Sequence, residues 1–171
     1  MTATLTVPLI APQLLIDSLD TNYRIIQRQV NGLTHEDSLL QLPFRGNCLN
    51  WVLGHITQSR NGMLKLLDEV PVWTPVQVNH YKRDSQPVLD GGDALRFETI
   101  LADLATAQER LVQALGKRTA EDLSATLPPT APDSPPESIG ERLYFLVWHE
   151  TYHVGQPEIL RQLTGINDKV I

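Results

Sequence analysis

Two histidines, His149 and His153, stand four residues apart in the stretch LVWHETYHVGQ. On a helix that spacing puts both rings on one face, roughly 6 Å apart along the axis, where two imidazoles can share one ion. A third, His55, lies on the inward line Val52, Ile56, Ser59, Met63 and Leu66 of an earlier segment. At about 1.5 Å per residue, His55 falls about 10 Å below the start of its helix and His153 about 16 Å from the end of its own. Antiparallel packing of the two helices would bring all three within about one turn in height. Three neutral imidazoles with one position left open form the donor set of a catalytic divalent centre rather than a structural one. The competing reading is a set of core histidines satisfied by neighbours, which is the ordinary fate of a lone His on an apolar stripe. Burying three together without an ion leaves ring nitrogens short of acceptors, at about 1 to 3 kcal/mol for each unsatisfied group, and this favours the ion.

The same stretch, HETYH, matches the H-E-x-x-H pattern of zinc proteases, in which the Glu is a general base. Only 18 residues follow His153, none of them His. The glycine and third histidine of the extended protease form are also missing, so that reading is set aside. Glu150 points about 100° away from His149 around the helix, which suits an ion pair or a support for a ligand better than a base. Gln156, two turns beyond His149 on the pocket side, is a candidate donor to substrate. Arg45 could hold a substrate carboxylate near the start of the His55 helix, and Asn47 is the expected N-cap there. Cys48 lies about 10 Å from His55 along the axis, too far to share an ion, and is read as structural. His35 and His80 fall in polar connections and are expected at the surface.

Four segments with helical periodicity must position these residues. The first runs from Ala11 to Gly32 with Leu15, Leu19, Tyr23, Ile26 and Val30 in line, and Gly32 is its expected stop. A short turn, THEDSLLQL, carries a capping arrangement in Thr34 and Asp37. The second segment spans Cys48 to Asp68. The third follows Gly91 and Gly92, with Asp93 as N-cap, and stops at Gly116. The fourth opens on the box Ser138 to Glu141 and ends near Gly165; Pro157 should kink it, since proline cannot donate to the carbonyl of His153. Between the second and third, Glu69 to Gly92 holds three prolines and two adjacent glycines, and is read as a long crossover. The run LPPTAPDSPPE before the fourth is read as an extended surface strap.

The 171 residues, 42% hydrophobic and 20% charged, suit one domain spanning 1–171. A chain of this size buries roughly 70% of its unfolded surface, so neither disulfides nor a structural metal are needed, and any metal would serve chemistry. A net charge of −6 disfavours nucleic acid and anionic membrane, whose binding depends on Lys and Arg releasing counterions. No apolar run approaches the roughly 20 residues of a membrane span, and the opening residues lack the basic region of a secretory leader. With one cysteine, no internal bridge is possible, and a cytosolic, cytoplasmic location is expected.

The stretch GNCLNWVLGHITQSRNGMLKLL, residues 46–67, resembles the N-x-x-x-W-x-x-G-H signature of the DinB/YfiT-like family. LVWHETYHVGQPEILRQL resembles its W-H-x-x-x-H-x-G-Q segment. The resemblance implies an all-α four-helix bundle of up-down-down-up topology, with His55, His149 and His153 as ligands of one divalent metal ion. Parallel second and third helices would explain the long crossover and return its later part, near Tyr81 and Arg83, toward the His55 end. Relatives include bacillithiol- and mycothiol-dependent transferases. The implied activity is therefore metal-dependent activation of a low-molecular-weight thiol for transfer to an electrophilic small-molecule substrate, in a homodimer, with zinc or nickel as the ion. A metal-dependent hydrolase on the same site, or a non-catalytic bundle that binds metal or ligand, stays open beside it.

Overall fold

In a computed structural model, residues 9–129, 135–166 and 168–170 are described. Four long helices dominate: α1 (Pro12–Val30), α3 (Leu49–Leu66), α5 (Phe97–Leu115) and α7 (Ile139–Val154). Shorter ones fill the connections: α2 (His35–Ser38), α4 (Pro75–Tyr81), α6 (Ala120–Leu123) and α8 (Gln156–Gln162). Among the described residues the one β-type pairing is an antiparallel bridge between Thr126 and Ser138, which ties down the base of the proline-rich strap. The strap's tip, 130–134, lies outside the described residues. No described helix is long and apolar enough to cross a membrane.

The apolar core falls into two clusters that fix the direction of each long helix. One holds Ile26 and Val30 from the end of α1, Trp51 and Ile56 from the first half of α3, Phe97 and Ile100 from the start of α5, and Val154 from the end of α7. The other holds Leu15 and Leu19, Met63 and Leu64, Leu111 and Leu115, and Leu143, the opposite ends of the same helices. Thus α1 and α7 run one way and α3 and α5 the other, which is the up-down-down-up order. The crossover between the parallel α3 and α5 must travel the length of the bundle.

Local chemistry explains the ends. Gly32 adopts φ +78°, the left-handed conformation that follows a helix C-terminus and that a Cβ would strain. The capping boxes at Thr34/Asp37 and Ser138/Glu141 form as expected. Two expected caps are corrected. Cys48, not Asn47, is the N-cap residue of α3, and Arg96, not Asp93, precedes α5; neither supplies a side-chain cap bond. The crossover is less irregular than expected, because Thr74 and Gln77 form a capping box and Pro75 opens α4 at a position where its missing N–H costs nothing.

The fourth segment is broken as Pro157 requires. α7 ends at Val154, Gly155 turns, and α8 restarts at Gln156 with Pro157 in its first turn. The carbonyls freed at the break find donors: His153 O accepts from Gly155 N–H, and Val154 O accepts from Gln29 Nε2 at 2.9 Å. Arg161 of α8 donates to the carbonyls of Gln29 and Asn31 at the end of α1, which fixes α8 against it.

Candidate metal centre

His55 points from α3 toward α7, where His149 and His153 stand on successive turns. The ring centroids of His55 lie 5.2 Å from those of His149 and 4.8 Å from those of His153, with the last two 4.5 Å apart. One ligand nitrogen from each ring can be chosen so that all lie within 4.8 Å of one another, a group that could hold a metal ion. His55 is buried, while His149 and His153 are half-buried, so the group opens on one side.

The hydrogen bonds select which nitrogens face inward. His55 Nδ1 donates to the carbonyl oxygen of Tyr81 at 2.7 Å, and His153 Nδ1 donates to Gln156 Oε1 at 2.7 Å. Each ring is thereby held in the tautomer whose Nε2 carries a lone pair. His149 Nε2 meets His153 Nε2 at 3.2 Å, a contact that needs one shared proton, while His149 Nδ1 is buried with no partner. A cation between the two Nε2 atoms would take the place of the shared proton, so this donor set fits a divalent metal.

All three imidazoles are biased to the neutral form that ligation requires. Burial pulls His55 down to about 4, against the opposing bond to Tyr81, and the nearby His153 and His149 add to the lowering. Burial also lowers His149, with His153 and Arg83 adding to the lowering and Glu150 opposing it, and lowers His153 against the bond to Gln156 and the charge of Glu150.

Tyr81 reaches the site from the crossover. Its ring lies flat enough on Gly54 that a Cβ there would come within 2.2 Å of the ring, so only glycine admits this approach. Burial pushes the phenol up to about 12, and the hydroxyl stays protonated, donating to Asn50 Oδ1 and accepting from Leu95 N–H. Tyr81 therefore serves the site through its main-chain carbonyl. Gln156, read from the sequence as a candidate donor to substrate, accepts from His153 through its Oε1.

Glu150 turns away from the imidazoles, as its angular position requires. It forms a fully buried pair with Arg60, Nε to Oε2 at 2.9 Å and Nη2 to Oε1 at 2.8 Å. Arg60 had no place in the reading of the sequence. Arg83 is exposed beside Asp84 at 3.7 Å, close enough for its charge to bear on His149. Arg45 is exposed in the turn before α3 and makes no hydrogen bond among the described residues. His35, expected at the surface, is buried and accepts the Phe97 N–H at Nδ1. Cys48 is buried, and burial raises its thiol pKa, in keeping with a structural role.

Aromatic rings line the group, a feature the apolar periodicity did not isolate. Trp51 stacks on His55 at 4.8 Å and 8°, Phe145 lies 6.3 Å from His149 at 22°, and Tyr152 meets His153 edge-on at 5.3 Å. Phe145, Trp148 and Tyr152 are all at least half exposed.

A family model described as the DinB superfamily matches residues 18–156. Among solved structures, a conserved protein of Enterococcus faecalis superposes with a TM-score of 0.68 at 17% identity, covering 91% of this chain and 98% of that one. At that identity the likeness speaks to fold alone. A comparison with curated proteins found no match.

Proposed function

This chain belongs to the DinB superfamily, and from that premise we propose that it is a divalent-metal-dependent transferase that joins a low-molecular-weight thiol to an electrophilic small molecule. The observation that carries the reading is the inward convergence of His55, His149 and His153, with the outer nitrogens of His55 and His153 already engaged by Tyr81 and Gln156. These residues would hold the ion. When bound by neutral imidazoles, a divalent cation keeps its full charge and acidifies a thiol well below its usual pKa near 8.5.

The chain's own residues do the rest. The carbonyl of Tyr81 and the amide oxygen of Gln156 keep two rings aimed inward before any ligand arrives, which limits reorganisation on binding. Phe145 and Tyr152 border the open side of the group with apolar, polarisable surface, and Trp148 packs beside Phe145. That border supports an electrophile with a planar or apolar portion, such as a chloroaromatic, over a small polar one. The resemblance also supports a homodimer, and the lone cysteine a cytosolic setting, as parts of the same reading.

The test is incubation of the metal-loaded, untagged protein with a panel of thiols and a chloroaromatic or epoxide electrophile. Transfer predicts products that contain the thiol sulfur. Products that have gained water instead would replace this reading with hydrolysis.

A further inference from the structure

Between the two apolar clusters lies a single polar layer to which every long helix contributes one buried side chain. Asn22 sits between Leu19 and Ile26 on α1, Arg60 between Ile56 and Met63 on α3, Gln108 between Leu104 and Leu111 on α5, and Glu150 between Val147 and Val154 on α7. Arg60 is the hub. Its guanidinium grips both oxygens of Glu150 and donates through Nη1 to Gln108 Oε1 at 2.6 Å. Gln108 passes the chain on to Asp20 at 2.7 Å, and Asn22 donates to Glu150 Oε1 at 3.3 Å and to Thr151 Oγ1 at 3.0 Å. Tyr23 lies 5.7 Å from the guanidinium carbon, closing that side with an aromatic face.

We propose that this layer, and the Arg60 to Glu150 pair above all, is the register key that sets α3 against α7 so that His55 meets His149 and His153. Arg60 follows His55 by five residues and Glu150 follows His149 by one, so one fork joins the two ligand-bearing helices beside the site. Apolar stripes repeat every turn or two, and their packing distinguishes poorly between neighbouring registers. A slip of one turn moves a helix by about 5.4 Å, more than the span within which one ion can be shared. The same slip would leave both ends of a buried ion pair among leucines with no partner, which the bundle cannot tolerate. A buried polar group that fixes helix register is an established physical device in coiled coils, and here its consequence is the geometry of the triad.

The claim rests on the metal reading for one of its two readouts only. The Arg60→Met/Glu150→Leu protein keeps net charge and side-chain volume, and its folding is checked by circular dichroism and a cooperative melt. In the metal-free wild type, nuclear Overhauser contacts are expected between the ring protons of His55 and His153, whose centroids lie 4.8 Å apart. In the double variant these contacts should vanish, and zinc affinity, measured by competition with a chromogenic chelator, should fall at least tenfold. Persistence of the ring contacts in the folded double variant overturns the proposal whatever zinc does. A wild type with the ring contacts but no zinc binding defeats the metal reading and leaves the register claim to be decided by the ring contacts alone. Should the double variant not fold, Glu150→Asp keeps the charge and shortens the reach by one methylene; weakened ring contacts support the proposal, and wild-type contacts overturn it.

Discussion

The Nδ1 of His55 donates to the main-chain carbonyl of Tyr81 across 2.7 Å, joining the ligand helix to the end of α4 in the middle of the crossover, 26 residues on. That bond exists because Gly54 lets the Tyr81 ring lie directly on α3. Gly54→Ala would drive a Cβ to within 2.2 Å of the ring, and the flat aromatic cannot yield by a rotamer change alone. The expected result is a loss of about 1 to 3 kcal/mol of stability, as overpacking usually costs, together with weaker metal binding. Urea unfolding and zinc titration of the same variant measure both; unchanged values in the two would show that the approach is not needed.

Gln156 holds the outer nitrogen of His153. Removing such a partner commonly lowers metal affinity by about 10- to 100-fold, and Gln156→Leu should fall in that range. Gln156→Glu retains an acceptor at the same reach and should stay close to wild type. Equal loss in the two variants would mean that Gln156 acts in some way other than by accepting from His153.

Acid should loosen the metal-free protein. In an unfolded chain a histidine titrates near 6.5, whereas burial lowers all three imidazoles in the fold, His55 to about 4. Between those values the unfolded state binds more protons, so stability rises with pH through that window. The contribution is complete above about pH 6.5 and drains away as the pH falls toward 4. Urea midpoints in the presence of a chelator should drop across this range, and the drop should shrink in His55→Gln. A midpoint for wild type that stays level from pH 7 to 4 would contradict the burial of neutral rings.

Phe145 and Tyr152 border the open side of the triad without holding any nitrogen of it. Replacing either with Ala should raise KM for an aromatic electrophile several-fold while metal content stays at the wild-type level. A fall in bound metal would make these rings supports of the histidines instead.

Much of this arrangement could be read before the fold was known. The four apolar stripes and the pairing of His149 with His153 follow from periodicity, because a helix converts spacing into a face. The convergence of His55 needed the helix directions as well, which the family resemblance implied and the two core clusters bear out. What escaped did so for identifiable reasons. The carbonyl of Tyr81 is a main-chain group, and no side chain announces it. α4 was hidden by the density of prolines, although Thr74, Pro75 and Gln77 carried its start signal. Arg60 lies off the line Val52, Ile56, Ser59, Met63 and Leu66 that marks its segment, and only when four helices are aligned do Asn22, Gln108 and Glu150 fall at its height. His35 was misplaced because its neighbours Glu36 and Asp37 are polar, yet its own ring is buried where it accepts the first N–H of α5.

The most direct test is bound metal per chain in protein purified without a histidine tag, by elemental analysis, beside the His55→Ala and His153→Ala variants. About one divalent ion per wild-type chain, lost from both variants while their helical content persists, is the predicted result. Wild-type protein that stays metal-free after dialysis against zinc and nickel, or variants that retain the ion in full, would contradict it.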